Sequence, residues 1–110
     1  MHTPNAEVPE SSSAYLKVEF RDGDGKLALP ASVNYEIKCL TTNKTILALT
    51  LFTPVQPRII IHLTPTDNAL QDVRNSRERR SVTVIADMGA AERLLDEFRY
   101  AVLNVRSHPA

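Results

Sequence analysis

The sequence has no tryptophan and a single cysteine, Cys39, among its 110 residues. One thiol excludes an intramolecular disulfide, so the chain folds in a reducing compartment or has no need of oxidation. No apolar run approaches the ~20 residues that span a bilayer as a helix. Charge of one sign is also lacking. The 13 basic and 13 acidic residues sum to a formal net charge of zero. That balance argues against a chain-wide electrostatic grip on nucleic acid, which shows as a basic domain or face. It argues equally against polybasic attachment to a membrane surface. It also removes a repulsion that keeps copies of a chain apart. Three tyrosines and three phenylalanines are the only aromatics. Histidine, cysteine and carboxylate nowhere recur at a spacing that builds a catalytic or metal centre. No catalytic, cofactor or metal residue is therefore expected.

What is present is strand grammar. A chain this long fits one domain and buries roughly two-thirds of its unfolded surface, enough for a core without staples. Residues 1–13 are polar, with two prolines and Ser11-Ser12-Ser13, and read as a tail. In Ala14-Tyr15-Leu16-Lys17-Val18-Glu19-Phe20-Arg21, Leu16, Val18 and Phe20 alternate with polar neighbours, the mark of a strand with one wet face. Asp22-Gly23-Asp24-Gly25 turns it. As a calcium loop the tetrapeptide fails, because the twelfth position from Asp22 is Val33, not glutamate.

Residues 26–30 read as a connector or short edge strand ending at Pro30. From Ser32 to Leu40 the inward set is Val33, Tyr35, Ile37 and Cys39, which makes Cys39 an inert buried thiol. Residues 45–52 are apolar on both faces, and 58–63 place Ile59, Ile61 and Leu63 inward with His62 outward. Residues 64–72 form a long turn-rich connection. In the stretch 79–87, Val82, Val84 and Ala86 alternate with Ser81, Thr83 and Ile85, giving the central strand of a small sheet.

The last segment carries two readings. Ala91, Leu94, Leu95, Phe98, Val102 and Val105 fall at helical spacing, and Ala90-Ala91-Glu92-Arg93-Leu94-Leu95 has high helix propensity, which gives a helix over 90–103. The competing reading is a strand from about Leu95 to Val105 with Phe98, Tyr100 and Val102 inward. Residues 106–110 read as a tail.

Two stretches are candidate partner-binding surfaces. Arg74, Arg77, Arg79 and Arg80 form the one basic patch, expected as a loop that contacts a protein or a phosphate. No aromatic interleaves with them to stack a base, so nucleic acid is the lesser reading. Ile46, Ala48 and Phe52 belong to the two-sided strand, which could pair at its edge or bury apolar surface against a neighbour.

The order of these pieces resembles an immunoglobulin-like or fibronectin-III-like domain. Phe20-Arg21-Asp22-Gly23-Asp24-Gly25, Pro30 and Val33-Asn34-Tyr35-Glu36-Ile37 look like its first two strands. Leu63-Thr64-Pro65-Thr66-Asp67-Asn68-Ala69-Leu70 resembles the link between its sheets, and 79–87 with 97–105 its final hairpin. Across residues 14–105 the chain is similar to small immunoglobulin-like proteins encoded among virion-structure genes of tailed bacteriophages and prophages. It lacks the tryptophan and cysteine pair of the antibody branch. The resemblance favours the strand at the C-terminus. It implies an all-β sandwich of about seven strands over residues 14–105, the alternative being α+β with a C-terminal helix on an antiparallel sheet. The function implied is a non-enzymatic structural or protein-interaction module that meets other virion subunits or copies of itself. The alternatives are a carbohydrate-type ligand-binding module, and a regulatory protein contacting nucleic acid through residues 74–80. The N-terminus lacks a signal peptide's basic and apolar regions, so the expected location is the host cytoplasm and then the virion.

Overall fold

Period-two alternation of β-branched residues produces seven strands and no helix among the residues that the computed structural model describes, 7–89 and 92–105. They are β1 (Glu7–Pro9), β2 (Ala14–Glu19), β3 (Ser32–Cys39), β4 (Lys44–Phe52), β5 (Arg58–Leu63), β6 (Arg77–Gly89) and β7 (Glu92–Leu103). Five form one sheet in the order β1-β7-β6-β3-β4, and β2 and β5 form a second. Every pairing is antiparallel except β1 with β7.

β6 runs through the middle of the larger sheet. Its even-numbered residues point inward, with Val82, Val84 and Ala86 buried opposite Ile37, Tyr35 and Val33 of β3. On its other side Val82 stands beside Phe98. The smaller sheet contributes Val18, Ile59, Ile61 and Leu63, and the residue after β2 contributes Phe20. All of these belong to one hydrophobic cluster fed by both sheets. The smaller sheet depends on that cluster, because an isolated pair of strands is marginal in water.

The C-terminal segment is strand, not helix. β7 pairs with β6 from Leu103↔Arg77 to Glu92↔Gly89. The ladder along β6 and the burial of Phe98, Tyr100 and Val102 override the helix propensity of Glu92-Arg93-Leu94-Leu95. Gly89 takes φ +81°, a left-handed conformation that suits glycine, where the pairing shifts register near the tip. The part of the helix expectation that falls on residues 90 and 91 lies outside the described residues.

The tail expected over residues 1–13 is also corrected for its described part. Val8 is buried opposite Val102, and the N–H groups of Glu10 and Ser11 donate to the carbonyls of Leu103 and Asn68. Residues 8–11 are tied down by these backbone bonds and by one buried valine. Residues 1–6 and the expected C-terminal tail, 106–110, lie outside the described residues.

Residues 26–30 form no strand. They fold back through a single bridge, Arg21↔Leu27, and a bond from Ala28 N–H to Phe20 O. The Asp22 carboxylate accepts from the N–H groups of Asp24 and Lys26, and Gly25 takes φ +79°. These are the bonds of an aspartate-led turn.

Ile61 is fully buried while the adjacent Ile60 is 54% exposed on the other face. Ile61→Ala is expected to cost about 2–5 kcal/mol and Ile60→Ala no more than about 0.5 kcal/mol, measured by urea unfolding. Equal losses would contradict the assignment of the two faces.

Candidate interaction surface

The basic run 74–80 does not form one solvated loop. Its last four residues begin β6, and strand alternation sends them to opposite faces. Arg77 and Arg79 point outward, while Glu78 and Arg80 point into the core and are fully buried. Arg74 lies before the strand and is held by Asp72 through Nε and Nη2, at 3.1 and 3.0 Å. Arg77 approaches Glu7 at 3.6 Å. The four arginines predicted as one partner site therefore do not converge, and Arg80 is unavailable to any partner.

What Arg80 does instead is structural. Its Nη1 donates to Glu78 Oε1 at 2.7 Å and to Cys39 Sγ at 3.2 Å, and its Nη2 donates to Ala69 O at 2.7 Å. Glu78 also accepts from the backbone N–H groups of Gln71 and Asp72 and from Asn75 Nδ2. Burial pushes the Glu78 carboxyl up. These donors outweigh it and hold the group below the usual carboxylate value of 4.5. Beside this pair, Tyr100 donates to Asn68 Oδ1 at 2.7 Å, and burial pushes its phenol well up, so the hydroxyl keeps its proton. Asn68 Nδ2 reaches back to Ser12 O at 2.7 Å.

Sequence reading missed this centre, although a signal was present. Extending the inward set Val82, Val84, Ala86 back by two steps along the strand gives Arg80 and Glu78. Cys39 is buried in the same centre, as its inward place in the strand alternation predicts.

The predicted apolar strand is β4, an edge strand with no fully buried residue. Ile46 and Phe52, two of its three predicted contact residues, pack against the core, and Phe52 meets the Tyr35 ring edge-on at 6.2 Å between centroids. Ala48 is exposed. The apolar side chains offered to solvent are Leu49 and Leu51, each more than half exposed. The difference comes from two bulges. Two residues of β3 from Tyr35 to Ile37 face three of β4, and the next one faces two. These shifts reset the alternation that sequence reading assumed.

Leu49 and Leu51 join the outer face of the five-stranded sheet. Cross-strand register arranges that face in rows. One row is Leu51, Asn34, Ile85 and Leu95, with Leu95 66% exposed. The next is acidic: Glu36, Thr83 and Glu97. The next is basic: Lys38, Ser81 and Arg99. Beyond it stands the exposed Arg79, opposite a buried Ala101.

Arg99 Nε donates to Glu97 Oε1 at 2.7 Å, and the Ser81 hydroxyl donates to the other carboxylate oxygen at 2.9 Å. That hydroxyl and then the guanidinium hold the Glu97 carboxyl below its ordinary range. A shallow hollow of about 440 Å³ beside Leu95 is lined by Thr83, Glu97 and Arg99.

Elsewhere, His62 is exposed, stacks on Tyr15 at 4.9 Å and contacts the Ser13 hydroxyl at 3.1 Å. Among the described residues no three of His, Cys, Asp and Glu gather as metal ligands, and no helix is long and apolar enough to cross a membrane. Comparison of the chain with protein-family models, curated proteins and solved structures finds no match.

The buried pair makes a measurable claim. Glu78→Gln leaves the Arg80 charge buried without its carboxylate and is expected to cost about 3–5 kcal/mol in urea unfolding. Because the folded carboxyl titrates below 4.5, the unfolded chain binds protons first as pH falls. Wild-type stability should therefore decline below about pH 4.5, and Glu78→Gln should flatten part of that decline. An unchanged acid limb would contradict the assignment. Asn68→Ala, which strands the Tyr100 hydroxyl, should cost about 1–3 kcal/mol. A neutral Asn68→Ala in the same assay would remove this bridge from the account.

Proposed function

We propose that the chain is a non-enzymatic structural or protein-interaction module with an immunoglobulin-like β-sandwich fold, of the kind encoded with the virion-structure proteins of tailed bacteriophages and prophages. The observation that carries this reading is strand order. Lettering β2 to β7 in sequence as B, C, C′, E, F and G turns the larger sheet into G-F-C-C′ with β1 at its G edge, and the smaller into B-E. That division of strands between sheets is the immunoglobulin-type one. One cluster shared by both sheets supports face-to-face packing. Where the antibody branch bridges B and F with a disulfide, this chain packs aliphatic residues.

Two features support a binding role without chemistry. Three buried polar side chains are engaged in holding the fold: Glu78 by four donors, Asn68 and Tyr100 by each other. The outer face of the larger sheet presents leucines and charges of both signs, the composition of a protein contact rather than of a phosphate site. The nucleic-acid alternative loses its geometry once Arg80 is buried and Arg74 is bound by Asp72. A sugar platform would have to be built on Tyr15, whose ring already stacks on His62.

The test is mass spectrometry of particles purified from the host that carries the gene. The chain is expected there in a fixed ratio to the major virion proteins. Particles that lack it, from cells that express it, would overturn the virion assignment.

A further inference from the structure

We infer that the chain pairs with a second copy of itself through the outer face of the five-stranded sheet. The inference rests on the module reading above and names the partner. The two bulges in β4 break the regular row of backbone groups that an added strand would need, so strand addition at that edge is disfavoured. The face beside it is open. Leu49, Leu51 and Leu95 are more than half exposed there, and Ile85 is partly exposed between them.

The order of the rows makes the face complementary to itself. Along the strands it runs apolar, acidic, basic, and then Arg79. A two-fold axis lying in the face, between the acidic and basic rows, reverses that order in the second copy. Glu36 then stands over Lys38, and Glu97 over Arg99, twice in each pair. The leucine row meets the aliphatic stem of Arg79, which can cover apolar surface with its charge in water. Zero net charge leaves no long-range repulsion to oppose the approach.

The size is sufficient. Four strands about 4.8 Å apart and four rows about 6.8 Å apart give a face of roughly 500 Å² in projection. Two copies cover about 1,000 Å², the lower limit for a specific interface, before side-chain relief is added.

Sedimentation velocity over micromolar to millimolar concentrations tests the pairing. The wild-type chain is expected to reach twice its 12.3 kDa mass, and to dissociate as salt is raised. The variant Glu36→Lys with Glu97→Lys should stay monomeric, as should Lys38→Glu with Arg99→Glu. An equimolar mixture of the two should pair, because the two central rows are then basic on one face and acidic on the other.

Leu51→Asp, on an exposed position of β4 far from the open edge of β7, should weaken pairing about tenfold or more without loss of the strand signal in circular dichroism. It reads the same face if the charge variants do not fold. A wild-type monomer at millimolar concentration overturns the inference. So does a dimer that survives Leu51→Asp, which would place the contact elsewhere. A monomeric chain still found in purified particles would overturn self-pairing while leaving the module reading intact.

Discussion

A charged guanidinium in the middle of a small core is the constraint around which much of this molecule is arranged. Arg80 sits on the central strand with no exposure, and an ion there is costly unless paired and hydrogen-bonded. Glu78 answers it from two residues away on the same strand face. The carboxylate in turn needs donors, and the chain between β5 and β6 supplies them from the backbone of Gln71 and Asp72 and from Asn75. The Ala69 carbonyl closes the circuit on Arg80. A long connection without strands of its own is held against the sheet because the buried pair consumes its polar groups.

The same connection then fixes the segment that leads into β2. Asn68 stands between the Tyr100 hydroxyl and the carbonyl of Ser12, so the two ends of the described fold meet at one side chain. Apolar burial supplies the bulk of the stabilisation in a domain like this. The polar centre adds discrimination, since the observed docking of residues 68–75 supplies partners to Glu78, Arg80 and Tyr100 at once.

Much of this architecture was legible in the sequence. Val33, Ile37, Ile59, Ile61, Val82 and Val84 are inside because clean alternation leaves each strand one apolar face. The C-terminal segment was ambiguous for a physical reason. Leucine, alanine and glutamate there favour helix locally, and what decides for strand is a ladder to β6 that a linear reading cannot supply. β1 escaped notice because three residues are too few to show a period.

The interaction surface was the least legible part. The charged residues at the start of β6 have the chemistry of a surface, yet their spacing places Glu78 and Arg80 inside. In β4 the bulges shifted which side chains face out, so Leu49 and Leu51 took the role expected of Ile46 and Phe52. The rows of the outer face exist only once register is known, and register is a relation between strands rather than a property of any one of them.

The parallel seam between β1 and β7 has a kinetic meaning. Glu7 pairs with Ala101, closing a loop of 94 residues for three residues of strand. The β6–β7 ladder, by contrast, starts from Gly89↔Glu92, only three positions apart in sequence. Loop closure of that length is slow to be repaid by so few contacts. The seam is therefore expected to form last and open first, as a local event below the free energy of global unfolding. Amide exchange at Glu10, whose N–H bonds to Leu103 O across it, reads that opening directly. Each opening bares more of the edge of β7, so the N-terminal strand acts as a removable guard on one side of the sheet.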